Sequence, residues 1–129
     1  MLAVDTNLIV RLVINDDPQQ VERAVKVFQS RAIFIPKSVL LETEWVLRYS
    51  YSLDRATIER SIHNIIRLPN VTVEDEGQVS RALSWYADGI DFADALHLAS
   101  SAGARRFMTF DEKFVKRSKR LTSPEVYLA

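Results

Sequence analysis

The 129-residue chain contains no cysteine and only three glycines. Without cysteine it can form no disulfide bond, no thiolate metal site and no cysteine nucleophile. Gly77, Gly89 and Gly103 do not form the G-x-G-x-x-G pattern of a dinucleotide-binding loop. No apolar run approaches the ~20 residues that a membrane helix requires, and the opening MLAVDTN lacks the basic segment of a signal peptide. These absences predict a cytoplasmic protein with no membrane segment.

Charge is balanced over the whole chain but unevenly distributed along it. The formal net charge is zero, so the total charge does not indicate a nucleic-acid-binding protein. Seven basic residues nevertheless lie between positions 105 and 120, against two acidic ones. Such a segment is commonly a solvated surface, although it can also attract phosphate groups.

Helical and strand patterns alternate along the chain. Val21, Ala24, Val25 and Phe28 have the i, i+3, i+4, i+7 spacing of an amphipathic helix. Ser38 is predicted to cap the start of the following helix. The alternation predicts one α/β domain over residues 1–129, with a mainly parallel sheet. Its short apolar strands are predicted at residues 2–4, 32–35, 71–73, 107–110 and 126–128.

Acidic residues directly follow two of the predicted strands. Asp5 follows the first strand and Asp111 follows the fourth. Ligands of open parallel sheets bind beyond the carboxyl ends of the strands. Asp91 and Asp94 open the helix before the fourth strand, and Glu42 lies in the first turns of the helix after the second. We therefore expect these acids at one edge of the sheet.

Each acid also has a local explanation. Asp5, Asp91 and Asp111 could cap helices, because aspartate accepts backbone N–H bonds there and suits the positive end of the helix dipole. Glu42 could be an ordinary surface residue, and Asp94 could belong to a capping box that starts at Asp91.

A shared site would have further consequences. Like charges about 4 Å apart repel by about 4 kcal/mol at an effective dielectric near 20, so grouped carboxylates shift their pKa values or bind a cation. No histidine or cysteine cluster competes as a metal site. Oxygen ligands select hard ions such as Mg²⁺ or Mn²⁺, which suit phosphoryl chemistry.

Several segments, taken in order, resemble the PIN-domain family. They are Asp5-Thr6-Asn7 after the first strand, Glu42 within VLLETEWVLR, Asp94 within DFADALHLAS, and Thr109 and Asp111 within MTFDEKF. The resemblance covers essentially the whole chain and is strongest to the toxin ribonucleases of VapBC-type toxin–antitoxin pairs. It implies a PIN-like three-layer sandwich with a mainly parallel central sheet flanked by helices. It also implies a Mg²⁺- or Mn²⁺-dependent endoribonuclease in which a metal-activated water hydrolyses RNA.

The resemblance assigns roles to the acidic residues. The catalytic residues would be Asp5, Glu42, Asp94 and Asp111. Asp5 and Asp94 would be the main metal ligands, with Glu42, Asp111 and Asp91 as further candidates, and Glu42 would hold or deprotonate the water. Thr6, Asn7 and Thr109 would orient the carboxylates. Asp91 stays open between a helix cap and a ligand, and Glu44 should point to a different face of its helix with no assigned role.

Basic and aromatic residues complete the hypothesis about RNA. The predicted phosphate-binding residues are Lys113, Lys116, Arg117, Lys119 and Arg120, with Arg11 and Arg48 as further candidates. The helical spacing of the aromatic residues Trp45, Tyr49, Tyr51, Trp85 and Tyr86 favours core or interface packing. Base stacking by Tyr49 or Tyr51 is the alternative.

The family implies two protein partners, a second copy in a homodimer and an antitoxin whose tail occupies the acidic groove. The alternative function is a non-catalytic PIN-fold binding module that acts through formation of the antitoxin complex. An aspartate-nucleophile phosphatase is disfavoured, because that class requires Asp-x-Asp after the first strand and Asn7 occupies the second position here.

Overall fold

A computed structural model describes residues 1–119 and 124–129, which form seven helices and five strands. The strands pair in parallel, and this confirms the predicted α/β class. The chain divides into two compact units, Met1–Glu76 and Gly77–Ala129. Within the described ranges, every helix is too short or too polar to cross a membrane. Arg120, one of the predicted phosphate-binding residues, lies outside the described residues.

The first unit is built on a three-stranded parallel sheet. The strands are β1 (Leu2–Ala3), β2 (Ile33–Ile35) and β3 (Val71–Val73), in the order β1-β2-β3. Ile33 pairs with Leu2 on one side and with Val71 on the other. Ile33 and Ile35 share one face of this central strand and are fully buried, whereas Phe34 on the opposite face is half-buried.

Four helices of the first unit connect its strands, two between β1 and β2 and two between β2 and β3. They are α1 (Thr6–Val13), α2 (Pro18–Ser30), α3 (Lys37–Tyr49) and α4 (Arg55–Ile66). Asp5, Asp17 and Asp54 are the N-caps of α1, α2 and α4, and each side chain accepts a backbone N–H three residues later. These caps stabilise the helix starts and fix Asp5 at the end of β1.

The start of α3 differs from the prediction. Ser38 does not cap this helix, because α3 begins at Lys37 and Pro36 occupies the cap position without a side-chain bond. The Lys37 backbone N–H instead donates to Glu74 Oε1 at 2.9 Å. The acceptor that helix starts require therefore comes from a residue 37 positions away.

Asn70 fastens the end of α2 to the start of β3. Its Nδ2 donates to the backbone oxygens of Phe28 at 2.5 Å and Arg31 at 2.8 Å, carbonyls that a helix end otherwise leaves without a partner. We expect Asn70→Ala to lower the free energy of unfolding by about 1–2 kcal/mol in urea denaturation. Asn70→Asp keeps the shape but turns carboxylate oxygen toward the two carbonyls, so it should destabilise at least as much. Wild-type stability in both variants would contradict this assignment.

The second unit combines two parallel strands with three helices. These are α5 (Glu76–Ala87, its first residue in the first unit), α6 (Phe92–Ala99), β4 (Arg106–Thr109), α7 (Glu112–Arg117) and β5 (Glu125–Leu128). Tyr86 meets Phe92 edge-on at 5.4 Å between ring centroids, and Phe107 meets Phe114 at 5.7 Å. Gly89 turns the chain between α5 and α6 with a φ of +101°, a conformation that residues with side chains rarely adopt. The turn leads directly to Asp91.

Candidate functional site

The first unit carries two of the predicted catalytic carboxylates. Asp5 is exposed, and its Oδ1 accepts the Leu8 N–H at 3.4 Å. Glu42 is exposed on α3, and the hydroxyl of the buried Thr6 donates to its Oε1. This bond joins the first residue of α1 to α3, so the side chain directly after Asp5 orients the Glu42 carboxylate.

Asp5 also faces a cavity of about 440 Å³ beside α1 and α2. Asn7 lines this cavity, as do Arg11 and Arg23. Arg11 donates to Asp16 Oδ1 at 2.6 Å, to Gln20 Oε1 at 2.7 Å and to the Tyr51 hydroxyl at 3.2 Å. These bonds hold the guanidinium against its own unit and pair its charge with Asp16.

The second unit brings three aspartates to one small cavity. Asp91, Asp94 and Asp111 line a space of about 110 Å³. Asp91 is the N-cap of α6, and its Oδ2 accepts the Asp94 N–H at 3.2 Å. Asp94 lies in the first turn of that helix and is partly buried. The turn at Gly89 and the start of α6 together fix the spacing of these two carboxylates.

Asp111 reaches the same cavity from the end of β4. Its Oδ1 accepts the Phe114 N–H at 3.1 Å, so it caps α7. Its own backbone N–H donates to Thr109 Oγ1 at 3.0 Å. Thr109, the last residue of β4, thus orients the backbone of Asp111 through this hydrogen bond. Asp91 and Asp111 both combine a capping bond with a place in the cavity wall.

The electrostatic environment of Asp94 disfavours its charged form. Burial raises the pKa of the Asp94 carboxyl, the negative charges of Asp91 and Asp111 raise it further, and His97 acts in the opposite direction. A cation in the cavity would relieve this repulsion, and carboxylate oxygens are the donors that Mg²⁺ and Mn²⁺ prefer. Within residues 1–119 and 124–129, no three acidic, histidine or cysteine side chains are grouped closely enough to hold a metal ion by themselves.

The raised pKa of Asp94 predicts how stability depends on pH. Since the folded-state pKa lies above the unfolded value, the folded protein binds more protons, and stability falls as the pH rises from about 4 through the raised pKa. Asp94→Asn removes this ionisation. In chelator, we expect its melting temperature to exceed that of wild type near pH 7 by a few degrees, with the difference shrinking toward pH 4. A lower melting temperature for the variant at neutral pH would contradict the pKa direction.

Two of the predicted phosphate-binding residues lie at this cavity. Lys113 and Arg117 line it from α7, one helical turn apart, and Arg117 Nη1 donates to the Gly89 oxygen at 3.1 Å. Lys116 and Lys119 are exposed but do not line the cavity. Positive charge therefore stands directly beside the three carboxylates.

Sequence reasoning missed the role of Glu44 and the exposure of two aromatic residues. Glu44 does lie on a different face from Glu42, but it is 1 % exposed and pairs with Arg48 at 2.9 Å. Trp45 and Tyr49 are 55 % and 61 % exposed, so the core packing predicted as one option is wrong for these two residues, and their packing in an interface stays a prediction. The spacing along α3 places these residues on faces, but it does not show which face the rest of the unit covers.

A known family model matches most of the chain. The family model described as PIN domain matches residues 2–120 and so runs through both units. A comparison with curated proteins found no match.

Proposed function

The chain belongs to the PIN-domain family, whose fold is of the nuclease type, and on that premise we propose that it is a metal-dependent endoribonuclease. We further propose that it is the toxin of a type II toxin–antitoxin pair. The observation that carries the enzymatic proposal is the shared cavity of Asp91, Asp94 and Asp111. Burial and the negative charges of Asp91 and Asp111 raise the pKa of the Asp94 carboxyl, so this cavity favours a divalent cation and, with it, a phosphate group.

We assign Asp5 and Asp94 as the main metal ligands, with Glu42, Asp111 and Asp91 as further candidates, following the family resemblance. The donor set fits Mg²⁺ or Mn²⁺, because all of these side chains offer oxygen. The bound ion would neutralise charge on the phosphodiester and lower the pKa of water. Thr109 orients the backbone of Asp111, and Asn7 stands beside Asp5 in the cavity of the first unit.

The proposed base is Glu42. The Thr6 hydroxyl occupies its Oε1, so we assign Oε2 as the atom that accepts a proton from the attacking water. The water oxygen forms the new bond to phosphorus, the ester bond to the leaving oxygen breaks, and that oxygen takes up a proton from bulk water to become a free hydroxyl. Lys113 and Arg117 would hold neighbouring phosphates, since both stand at the cavity of the three aspartates.

The direct test is cleavage of single-stranded RNA by the purified protein. We expect products when Mn²⁺ or Mg²⁺ is added and none when a chelator is present. Cleavage that continues in chelator would contradict the metal-dependent mechanism. RNA that stays intact under all conditions, while the protein still forms a stable complex with its antitoxin, would support the non-catalytic binding module instead.

The toxin proposal adds an antitoxin and a second copy of the chain as partners, in the cytoplasm. Its support is the resemblance of LLETEWVLR and DFADALHLA to VapBC-type toxins. Growth arrest on expression, relieved by the product of a neighbouring reading frame, is the expected result. Size-exclusion chromatography with light scattering should give twice the 14.8 kDa mass of one chain. Normal growth on expression would count against the toxin role.

A further inference from the structure

Three exposed residues form a stripe along α3. Glu42, Trp45 and Tyr49 have the spacing i, i+3, i+7, which places them on one face of a helix. All three side chains are exposed, and Trp45 and Tyr49 are among the most exposed large apolar residues of the described chain. Glu42, the proposed base, and the two rings therefore lie on one exposed surface, and each is about one helical turn of 5.4 Å from the next.

The two rings pack against each other, and the Arg48 side chain packs against Tyr49. Their centroids are 5.2 Å apart with an interplanar angle of 46°. The Arg48 guanidinium lies 4.6 Å from the centroid of Tyr49, and the same group is paired with the buried Glu44. The ion pair thus ties Tyr49 to the interior of the unit, while the ring of Trp45 faces solvent. Exposed aromatic rings with an adjacent arginine are the features on which unpaired nucleic-acid bases stack.

We propose that Trp45 and Tyr49 form a stacking surface for the unpaired bases of single-stranded RNA next to Glu42. The inference rests on the proposed nuclease function and specifies its substrate as unpaired, since bases in a duplex cannot reach such rings. RNA is favoured over a second protein copy because of Glu42. A dimer interface that covered the stripe would also bury this carboxylate, whereas a strand being cut must lie beside it.

The test measures RNA binding in chelator, so that its result does not depend on cleavage. Anisotropy of a labelled single-stranded oligonucleotide should show that Trp45→Ala raises the Kd about tenfold, which corresponds to the loss of one stacked base. Trp45→Phe should keep most of the affinity. The matched control is Tyr127→Ala, because Tyr127 also has an arginine over its ring, Arg106 at 4.5 Å, but lies on β5 and not in the stripe along α3.

A second measurement follows Trp45 directly. The chain has two tryptophans, so Trp85→Phe leaves Trp45 as the only one, and its fluorescence should be quenched by the oligonucleotide. An oligonucleotide without bases should quench less and should bind wild type and Trp45→Ala equally. An unchanged Kd in Trp45→Ala would overturn the proposal. So would conversion of a dimer to a monomer without loss of RNA affinity, since the stripe would then belong to a second copy.

The two proposals can fail separately. Trp45-dependent binding without any cleavage would support the stacking surface and contradict the nuclease. Metal-dependent cleavage with a Kd that is insensitive to Trp45 would support the nuclease and contradict the stacking surface.

Discussion

Replacing Asp94 with asparagine should abolish Mn²⁺-dependent RNA cleavage while leaving the protein folded. Residues that merely support a metal ligand cost about 10–100-fold when they are mutated, so removal of a ligand carboxylate should cost at least about a hundredfold. The substitution keeps the size of the side chain and removes its charge. The same loss is expected for Asp5→Asn, and kcat measured with a fluorogenic oligonucleotide checks both variants.

Matched controls separate chemistry from helix capping and from loss of charge. Asp17→Asn changes an aspartate that caps α2 just as Asp5 caps α1, so it should cleave like wild type. Asp88→Asn removes an exposed aspartate of the second unit that does not line the cavity. Activity near the wild-type level in Asp5→Asn or Asp94→Asn would end the proposed mechanism. Activity lost in the two controls as well would indicate that charge or folding is responsible.

Melting temperatures supply a readout that does not depend on catalysis. A ligand that binds only the folded state raises stability with its concentration, so Mn²⁺ should raise the melting temperature of wild type. Asp94→Asn should start higher in chelator and respond little to Mn²⁺. The melting temperatures of wild type and Asp94→Asn, plotted against Mn²⁺ concentration, should therefore cross. This is expected because the fold makes Asp94 costly to ionise, while the ionised carboxylate is needed to bind the cation.

An aspartate-to-asparagine substitution at position 91 also tests whether Asp91 is only a helix cap or a metal ligand. Asparagine is as good an N-cap as aspartate, so Asp91→Asn should preserve the bond to the Asp94 N–H and the helix start. If Asp91 only caps α6, cleavage should fall by no more than a few fold. A loss as large as that in Asp94→Asn would make Asp91 a ligand.

The acidic residues show how much of the site local sequence can predict. Asp5, Asp91 and Asp111 were each predicted as possible helix caps, and the structure confirms that all three cap a helix. Capping depends on the residues immediately around each aspartate, so a short stretch of sequence is enough to reveal it. Their joint chemistry depends on the fold, and only the grouping of Asp91, Asp94 and Asp111 is seen directly within one unit.

Features that depend on distant residues were not predicted. The start of α3 uses Glu74 as its acceptor, and no local pattern around Ser38 indicates this.

Short elements and strand ends were also predicted poorly. Helix α7 has six residues and buries only Phe114, so the helix is too short for a helical periodicity to appear. Strand β4 ends at Thr109, one residue before the prediction, and the next residue, Phe110, is 85 % exposed.

The aromatic residues of α3 show the limit of spacing as a signal. Apolar residues at helical intervals predict a buried face, but Trp45 and Tyr49 are exposed. The buried side of α3 is already formed by Leu40, Thr43, Glu44 and Leu47. The periodicity of apolar residues could not predict that Glu44 is buried, because its burial depends on the ion pair with Arg48 one turn later.

Because Glu44 is buried, we expect Arg48→Ala to cause a large loss of stability. Arg48 pairs with Glu44 through Nε at 2.9 Å and Nη2 at 3.2 Å, and the Glu44 side chain is almost completely buried. Removing the arginine would leave the carboxylate buried without this partner. We expect the free energy of unfolding in urea to fall by about 3 kcal/mol.

The control is another ion pair with the same spacing. Lys26 and Glu22 are also four residues apart, at 3.3 Å, but their side chains are 72 % and 68 % exposed. Water already solvates both charges there, so Lys26→Ala should change stability by no more than about 0.5 kcal/mol. Equal effects of the two substitutions would contradict the role of burial.

A double substitution separates charge from packing. If the cost of Arg48→Ala comes from the buried carboxylate that has lost this ion pair, then Glu44→Leu combined with Arg48→Met should recover most of the lost stability, because buried ion pairs are often replaced by apolar residues at little cost. A double variant as unstable as the single one would assign the loss to packing around α3. The same pair of variants also bears on Tyr49, since Arg48 lies over its ring. A double variant that is stable yet binds single-stranded RNA more weakly would show that the buried pair serves the exposed surface of α3 as well as the interior.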